Sequence, residues 1–244
     1  MHFLAITGTA LRVVQQLRRD PRTLALLIIV PVGLVWIMKL VFADQPGVFQ
    51  RVGVPLVGVF PLTSMFLVTS ITMLRERSSG TLERLMTMPL AKLDILLGYA
   101  LAFGVVALVQ AGLTALVAIG ALGLDVEGPV AAVVALALLN ALLGMALGLL
   151  VSAFATTEFQ AVQFMPAFLL PQLLLCGLIA PRSQMNRALE IVSDVLPMTY
   201  AYDALARVAS DDMGRQLAAD IVILVAFMAG ALVLGAATLR RRTA

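Results

Sequence analysis

The 244-residue chain is 61% hydrophobic and only 13% charged, too apolar to clothe a soluble domain of this length, so it falls in the integral membrane class. A single cysteine, Cys176, and a single histidine, His2, exclude a disulfide framework, a Cys- or His-based metal site and Ser–His chemistry. The net charge of +3 is small, and the length fits one helical bundle with no separate catalytic domain.

Residues 3–19 set Phe3, Ile6, Ala10, Val13 and Leu17 at helical spacing, with Thr7, Arg12, Gln15, Gln16, Arg18 and Arg19 filling the other side. That pattern predicts an amphipathic helix lying in the inner membrane interface over residues 1–22, ended by Asp20-Pro21. It serves either as a positive topology anchor or as an elbow that also touches a soluble partner. The basic, amphipathic start is not the pattern of a cleavable leader.

Residues 23–244 read as a six-helix transmembrane bundle, all-α. The spans are expected near Thr23–Ala43, Val54–Leu74, Ile95–Leu122, Val130–Ala155, Phe159–Ala180 and Leu217–Leu239. Each reaches the roughly 20 residues that cross a hydrocarbon core, and strand-like alternation is absent. Gly144-x-x-x-Gly148 allows close helix approach, more often inside one subunit than between two. Pro166 and Pro171 predict a kink in the fifth span.

Between the second and third spans lies a short charged loop, residues 75–94. Gly80 permits a sharp turn, Thr81–Met88 can form about two helical turns, Glu83 suits the helix N-terminus, and Pro89 stops the helix. Glu76, Arg77, Glu83 and Arg84 are expected to face water, with Leu82, Leu85 and Met86 free for a partner's groove. The plainer reading is a capped surface loop that satisfies its own ion pairs. After the fifth span, residues 181–216 form the one long outer segment. Met185, Leu189, Val192 and Leu196 mark an amphipathic face there, and Pro197 opens a second short helix through Tyr202 and Leu205.

Arg12, Arg18, Arg19, Arg22, Arg75, Arg77, Arg84, Lys92, Arg240, Arg241 and Arg242 fall on one side of this topology, and the two short loops opposite hold only Arg51. The positive-inside rule then puts both termini and the charged loop in the cytosol. The basic balance therefore reports topology and gives no reason to expect a nucleic-acid partner.

Chemistry is conspicuous by what is missing. The only lysines, Lys39 and Lys92, are each followed by leucine, so no P-loop exists. An ion-coupled carrier keeps acids or histidines in the membrane, whereas the spans hold only Lys39 and Asp220, both near their ends. Energy, if any is used, must come from outside this chain. Gln110, Asn140, Gln163 and Gln172 are neutral polar groups at depth. They serve as interhelical hydrogen-bond glue or line a weakly polar path with phenylalanine and some of the 12 methionines.

The motif Glu76-Arg77-x-x-Gly80-Thr81-x-Glu83-x-Leu85-x-x-x-Pro89-Leu90 resembles the cytosolic loop of type-2 ABC exporter permeases. Gly177-Leu-Ile-Ala-Pro181-Arg182-Ser-Gln-Met185 and Leu196-Pro197-Met-Thr199-Tyr200-Ala-Tyr202-Asp203-Ala204-Leu205 resemble the same family's stretch after span 5, in its daunorubicin-resistance type. Two departures stand out. Ser78 and Ser79 replace further charge, and Arg207 comes one residue later than the family's arginine.

The resemblance implies two paired permeases, identical or homologous, in a bacterial plasma membrane, and two separate ATPase subunits that carry ATP and Mg. Arg75, Glu76, Arg77, Gly80, Thr81, Glu83, Arg84, Leu85 and Pro89 would form the coupling element, and Pro181, Pro197, Tyr200 and Asp203 would belong to an outer lid. Cargo would be hydrophobic or amphipathic, a drug, lipid or related metabolite, leaving near spans 2 and 5. The alternatives are a glycan exporter on the same fold and, from another class, a passive pore or membrane scaffold. No metal or cofactor is expected in this chain.

Overall fold

The computed structural model describes residues 2–87 and 91–238, and every regular element among them is helical. Helix α1 covers His2–Arg18, and the chain turns at Asp20, whose carboxylate accepts from the Thr23 amide at 3.2 Å and the Thr23 hydroxyl at 2.6 Å. That cap starts α2, Pro21–Val41, with proline at a position where a missing N–H is harmless. α3 follows over Pro46–Ser78. Its 33 residues make a rod of about 50 Å, well beyond a 30 Å hydrocarbon core. The expected boundaries at Val54 and Leu74 are therefore too narrow. Pro46 opens the helix early, and Arg75, Glu76 and Arg77 extend it instead of starting the loop.

Short α4, Thr81–Thr87, is followed by α5, Lys92–Leu116, which widens into a π turn over Val117–Ala121. Lys39 donates to the Leu122 carbonyl, placing a cation at that helix end. α6 is Val130–Val151 and α7 is Glu158–Leu175. α7 stops short of the expected Ala180 because Gly177, at φ +101°, turns the chain. A 3₁₀ turn at Arg182–Gln184 leads to α8, Arg187–Asp194, then α9, Pro197–Ala209, and α10, Arg215–Thr238.

Among the described residues, five helices are long and apolar enough to cross a membrane: α2, α3, α5 with its π turn, α6 and α10. The expected fifth span, α7, is not among them. It has 18 residues, and Gln160, Gln163, Gln172, Pro166 and Pro171 dilute its hydropathy.

α3 is the axis of the bundle and packs most closely on α6. Gly144 and Gly148 make that contact possible. A Cβ at the first would collide with the Leu62 carbonyl, and at the second with the Phe66 carbonyl and Thr69. The small-residue motif is thus spent inside this chain. Thr69 Oγ1 adds an interhelical bond to the Met145 carbonyl at 3.3 Å.

α1 lies against α5, where Gly98 meets Thr9 and the Ile6 carbonyl. Ala10, Val13 and Leu17, expected to dip into lipid, are buried on the protein, while Phe3, Leu4 and Leu11 are the exposed apolar residues. Helical spacing alone does not say whether lipid or protein covers a stripe.

Candidate functional site

The charged loop is built from the last turn of α3, one glycine and α4. Ser79 and Ser78 accept the end of α3, their hydroxyls donating to the Glu76 and Arg75 carbonyls at 3.3 and 3.1 Å. Gly80 then adopts φ +71°, the left-handed conformation that costs a side-chain-bearing residue about 1–2 kcal/mol. The Arg84 amide donates back to the Gly80 carbonyl at 3.1 Å, and the Thr87 hydroxyl to the Arg84 carbonyl at 2.7 Å, closing the two turns of α4. Arg84 and Thr87 are exposed. Leu85, expected to be free for a partner, leans on this chain's own core. Pro89 and the side chains of Leu82, Glu83 and Met86 lie outside the described residues.

Glu76 is buried and Arg77 half-buried, where both were expected to face water. Glu76 is 6% exposed and accepts from Arg12 Nη1 at 3.1 and 3.2 Å and from Gln16 at 3.2 Å. Arg12 Nη2 also donates to the Tyr99 hydroxyl at 2.6 Å and lies over that ring. Burial opposes the Arg12 charge, but Tyr99 and Glu76 outweigh it, so its pKa ends above the ordinary arginine value. Arg77 reaches the other way, towards the Ser152 carbonyl at 3.4 Å at the C-terminal end of α6, where the helix dipole favours a cation. The end of α3 is thereby tied to α1, α5 and α6. Arg75 is exposed and pairs with Glu158 of α7 through two bonds of 2.8 and 3.0 Å.

Beside this end of α3 runs a groove of about 710 Å³ between α2 and α3. Its walls are apolar along Leu26, Val30 and Leu34 on α2 and Leu67, Val68 and Ile71 on α3. At the α4 end they turn polar, with Asp20, Thr23, Thr72 and Gln16 beside Arg75, Glu76, Ser79 and Thr81. Met165 supplies the contact from α7, and Phe168 of α7 stacks on Phe66 of α3 with ring centroids 6.0 Å apart. The site therefore joins an amphipathic groove to the short helix α4.

Residues 6–208 match the ABC-2 type transporter family. The chain belongs to that family. Among its curated relatives, the probable multidrug ABC transporter permease YbhR of Escherichia coli K12 is 27% identical over 157 residues, 64% of this chain and 43% of that protein. ABC transporter G family member 20 of Dictyostelium discoideum is 28% identical over 147 residues, 60% of this chain and 20% of that protein. The linearmycin resistance permease protein LnrN of Bacillus subtilis is 28% identical over 140 residues, 57% and 36% of the two chains. The match spans less than half the length of each of these relatives.

Of the four polar residues read as interhelical glue or as a path in the ABC-2 bundle, none lines the groove. Gln110 donates to the Ser64 hydroxyl at 2.6 Å. Gln172 donates to the Phe168 carbonyl at 3.0 Å and accepts from the Met198 amide at 3.4 Å, so both residues join helical segments to one another or to themselves. Gln163 is exposed. Asn140 is fully buried against Gly58 and Leu205, with neither polar side-chain atom bonded.

At the opposite end of the ABC-2 bundle, α9 dips inward between α3, α6 and α10. Pro197 sits in its first turn, Tyr200 donates to the Asp194 carbonyl at 2.6 Å, and Pro181 precedes the 3₁₀ turn. Arg182 bridges Asp194 and Asp203, each at 2.9 Å. Arg207, one residue out of the family register, pairs with Asp220 of α10 at 3.0 Å and Asp212 at 2.8 Å. Sequence reasoning missed Arg12, Gln16, Tyr99, Arg182 and Glu158 as members of these networks. Only opposite charge near span ends hinted at them.

Proposed function

We propose that this chain is the membrane subunit of an ATP-driven exporter that moves hydrophobic or amphipathic molecules outward across a bacterial inner membrane. One observation carries the reading. Arg75 and Glu76 in the last turn of α3, Ser79 in the turn and Thr81 at the start of α4 all line the groove. A soluble ATPase that grips α4 and moves it would shift the wall of the groove directly, with no intervening element. A second permease subunit, identical or homologous, and two ATPase subunits carrying ATP and Mg would complete the machine. Its α4 end and both termini would be cytosolic, and α7 would serve as the sixth span. The groove's apolar walls and polar mouth suit a cargo with a hydrocarbon body and a polar head near the inner leaflet.

The test is co-expression with the neighbouring genes, purification in mild detergent, and measurement of subunit composition and ATP hydrolysis. A stoichiometric ATPase that is lost on Glu83→Lys supports the assignment. A chain that purifies alone and conducts or binds cargo without nucleotide assigns it to the passive pore or scaffold class.

A further inference from the structure

We infer that the corner between α1 and α2 is a binding surface for anionic phospholipid headgroups. Arg18, Arg19 and Arg22 are all exposed there, and among the described residues none has a carboxylate within ion-pair distance. The corner's own acid, Asp20, is occupied by its two bonds to Thr23, which hold its pKa below the ordinary aspartate value. The corner is also rigid, because the Arg19 and Asp20 amides bond back to the Gln16 and Leu17 carbonyls at 3.1 and 2.9 Å. Three exposed guanidinium groups on a backbone-held corner therefore lack anions among the described residues.

Register decides which anion fits. Arg22 begins a stripe on α2 that continues through exposed Leu26 and Ile29, four and seven residues on, so the first leucine lies about 6 Å further along the helix axis. The charge thus sits where a hydrocarbon-facing surface gives way to the phosphate layer. On α1 the same arrangement recurs, with exposed Leu4 and Leu11 at seven-residue spacing and Arg18 seven further along that face. An acidic soluble protein would complement the arginines but make no use of the leucines beside them. A phospholipid of net negative charge covers both, its phosphate on the guanidinium groups and its acyl chains on the leucines. The inference concerns this surface alone and stands apart from the exporter assignment.

The full chain, purified and stripped of lipid, is titrated with phosphatidylglycerol and with phosphatidylcholine of the same acyl chains, counting bound lipids by native mass spectrometry. Three near-surface arginines predict a preference for the anionic lipid of roughly a hundredfold, shrinking with salt. The triple variant R18Q/R19Q/R22Q is expected to lose the preference, R18K/R19K/R22K to keep most of it, and Arg187→Gln at the far end to change nothing. Equal affinity of the wild-type chain for the two lipids overturns the proposal without recourse to any variant. So does an unaltered preference in a folded triple glutamine variant. If the triple glutamine variant keeps its lipid preference but loses a co-expressed ATPase, the corner belongs to a protein partner instead.

Discussion

Arg12 donates to both carboxylate oxygens of Glu76, at 3.1 and 3.2 Å, across 64 residues of sequence. The pair fastens α1 to the last turn of α3, which only Ser79 and Gly80 separate from α4. Removing one partner of a buried pair strands the other, a loss of about 3–5 kcal/mol. Because Arg12 keeps partial contact with water and a second partner in Tyr99, Glu76→Ala should fall near the lower figure. Thermal unfolding in detergent measures it, with Tyr99→Phe expected to cost only about 1–2 kcal/mol.

Gly80 isolates the backbone's contribution to α4. A Cβ there meets nothing within 4 Å, so the penalty of a substitution is conformational alone. Gly80→Ala should cost about 1–2 kcal/mol, felt as fraying of α4, and Gly80→Asn less, because asparagine tolerates the left-handed region. Global unfolding of the bundle should stay unchanged in both. If the proposed exporter assignment holds, ATP hydrolysis by the co-assembled ATPase should uncouple from transport in the alanine variant and recover with asparagine.

The buried amides separate by what they bond. Gln172→Ala removes partners of the Phe168 carbonyl and Met198 amide and should cost about 1–3 kcal/mol. Asn140→Ala strands no other group and should shift stability by less than about 1 kcal/mol. A loss of several kcal/mol at Asn140 would show that the amide has a partner in the membrane-embedded protein.

Asp203 links the outer helices to pH. Burial is the first cause that holds its pKa above the ordinary aspartate value, against the pull of Arg182. A raised folded pKa means that proton uptake favours the folded state. That contribution is complete below the unfolded aspartate pKa and disappears as pH rises through the folded one. Across that acidic window, Asp203→Asn should flatten the dependence of thermal midpoint on pH relative to the parent chain.

Local chemistry was legible in the sequence where local rules decide it. Asp20-Pro21 ended one helix, Gly80 made a sharp turn at positive φ, and the Gly144/Gly148 spacing marked a close helix contact. Tertiary partners were not legible. Nothing in residues 75–77 says that Glu76 turns to Arg12 while Arg77 turns to α6, because three successive helical side chains point in three directions. The groove was equally hidden, since its two walls read simply as apolar spans. α7 fell short because its boundary depends on Gly177 turning the chain towards α8.

Gly144 and Gly148 also set a rule for the length of α6. Inserting or deleting one residue upstream in that helix would rotate whatever follows by about 100°. Leu143 or Met145, and Leu147 or Leu149, would then be driven against the Leu62 and Phe66 carbonyls. Substitutions across much of α6 can be absorbed by lipid or by repacking, but a change in residue count cannot. Homologous chains should therefore drift in composition along this helix while conserving the distance from its start to the two glycines, as a key keeps its notches while its metal changes.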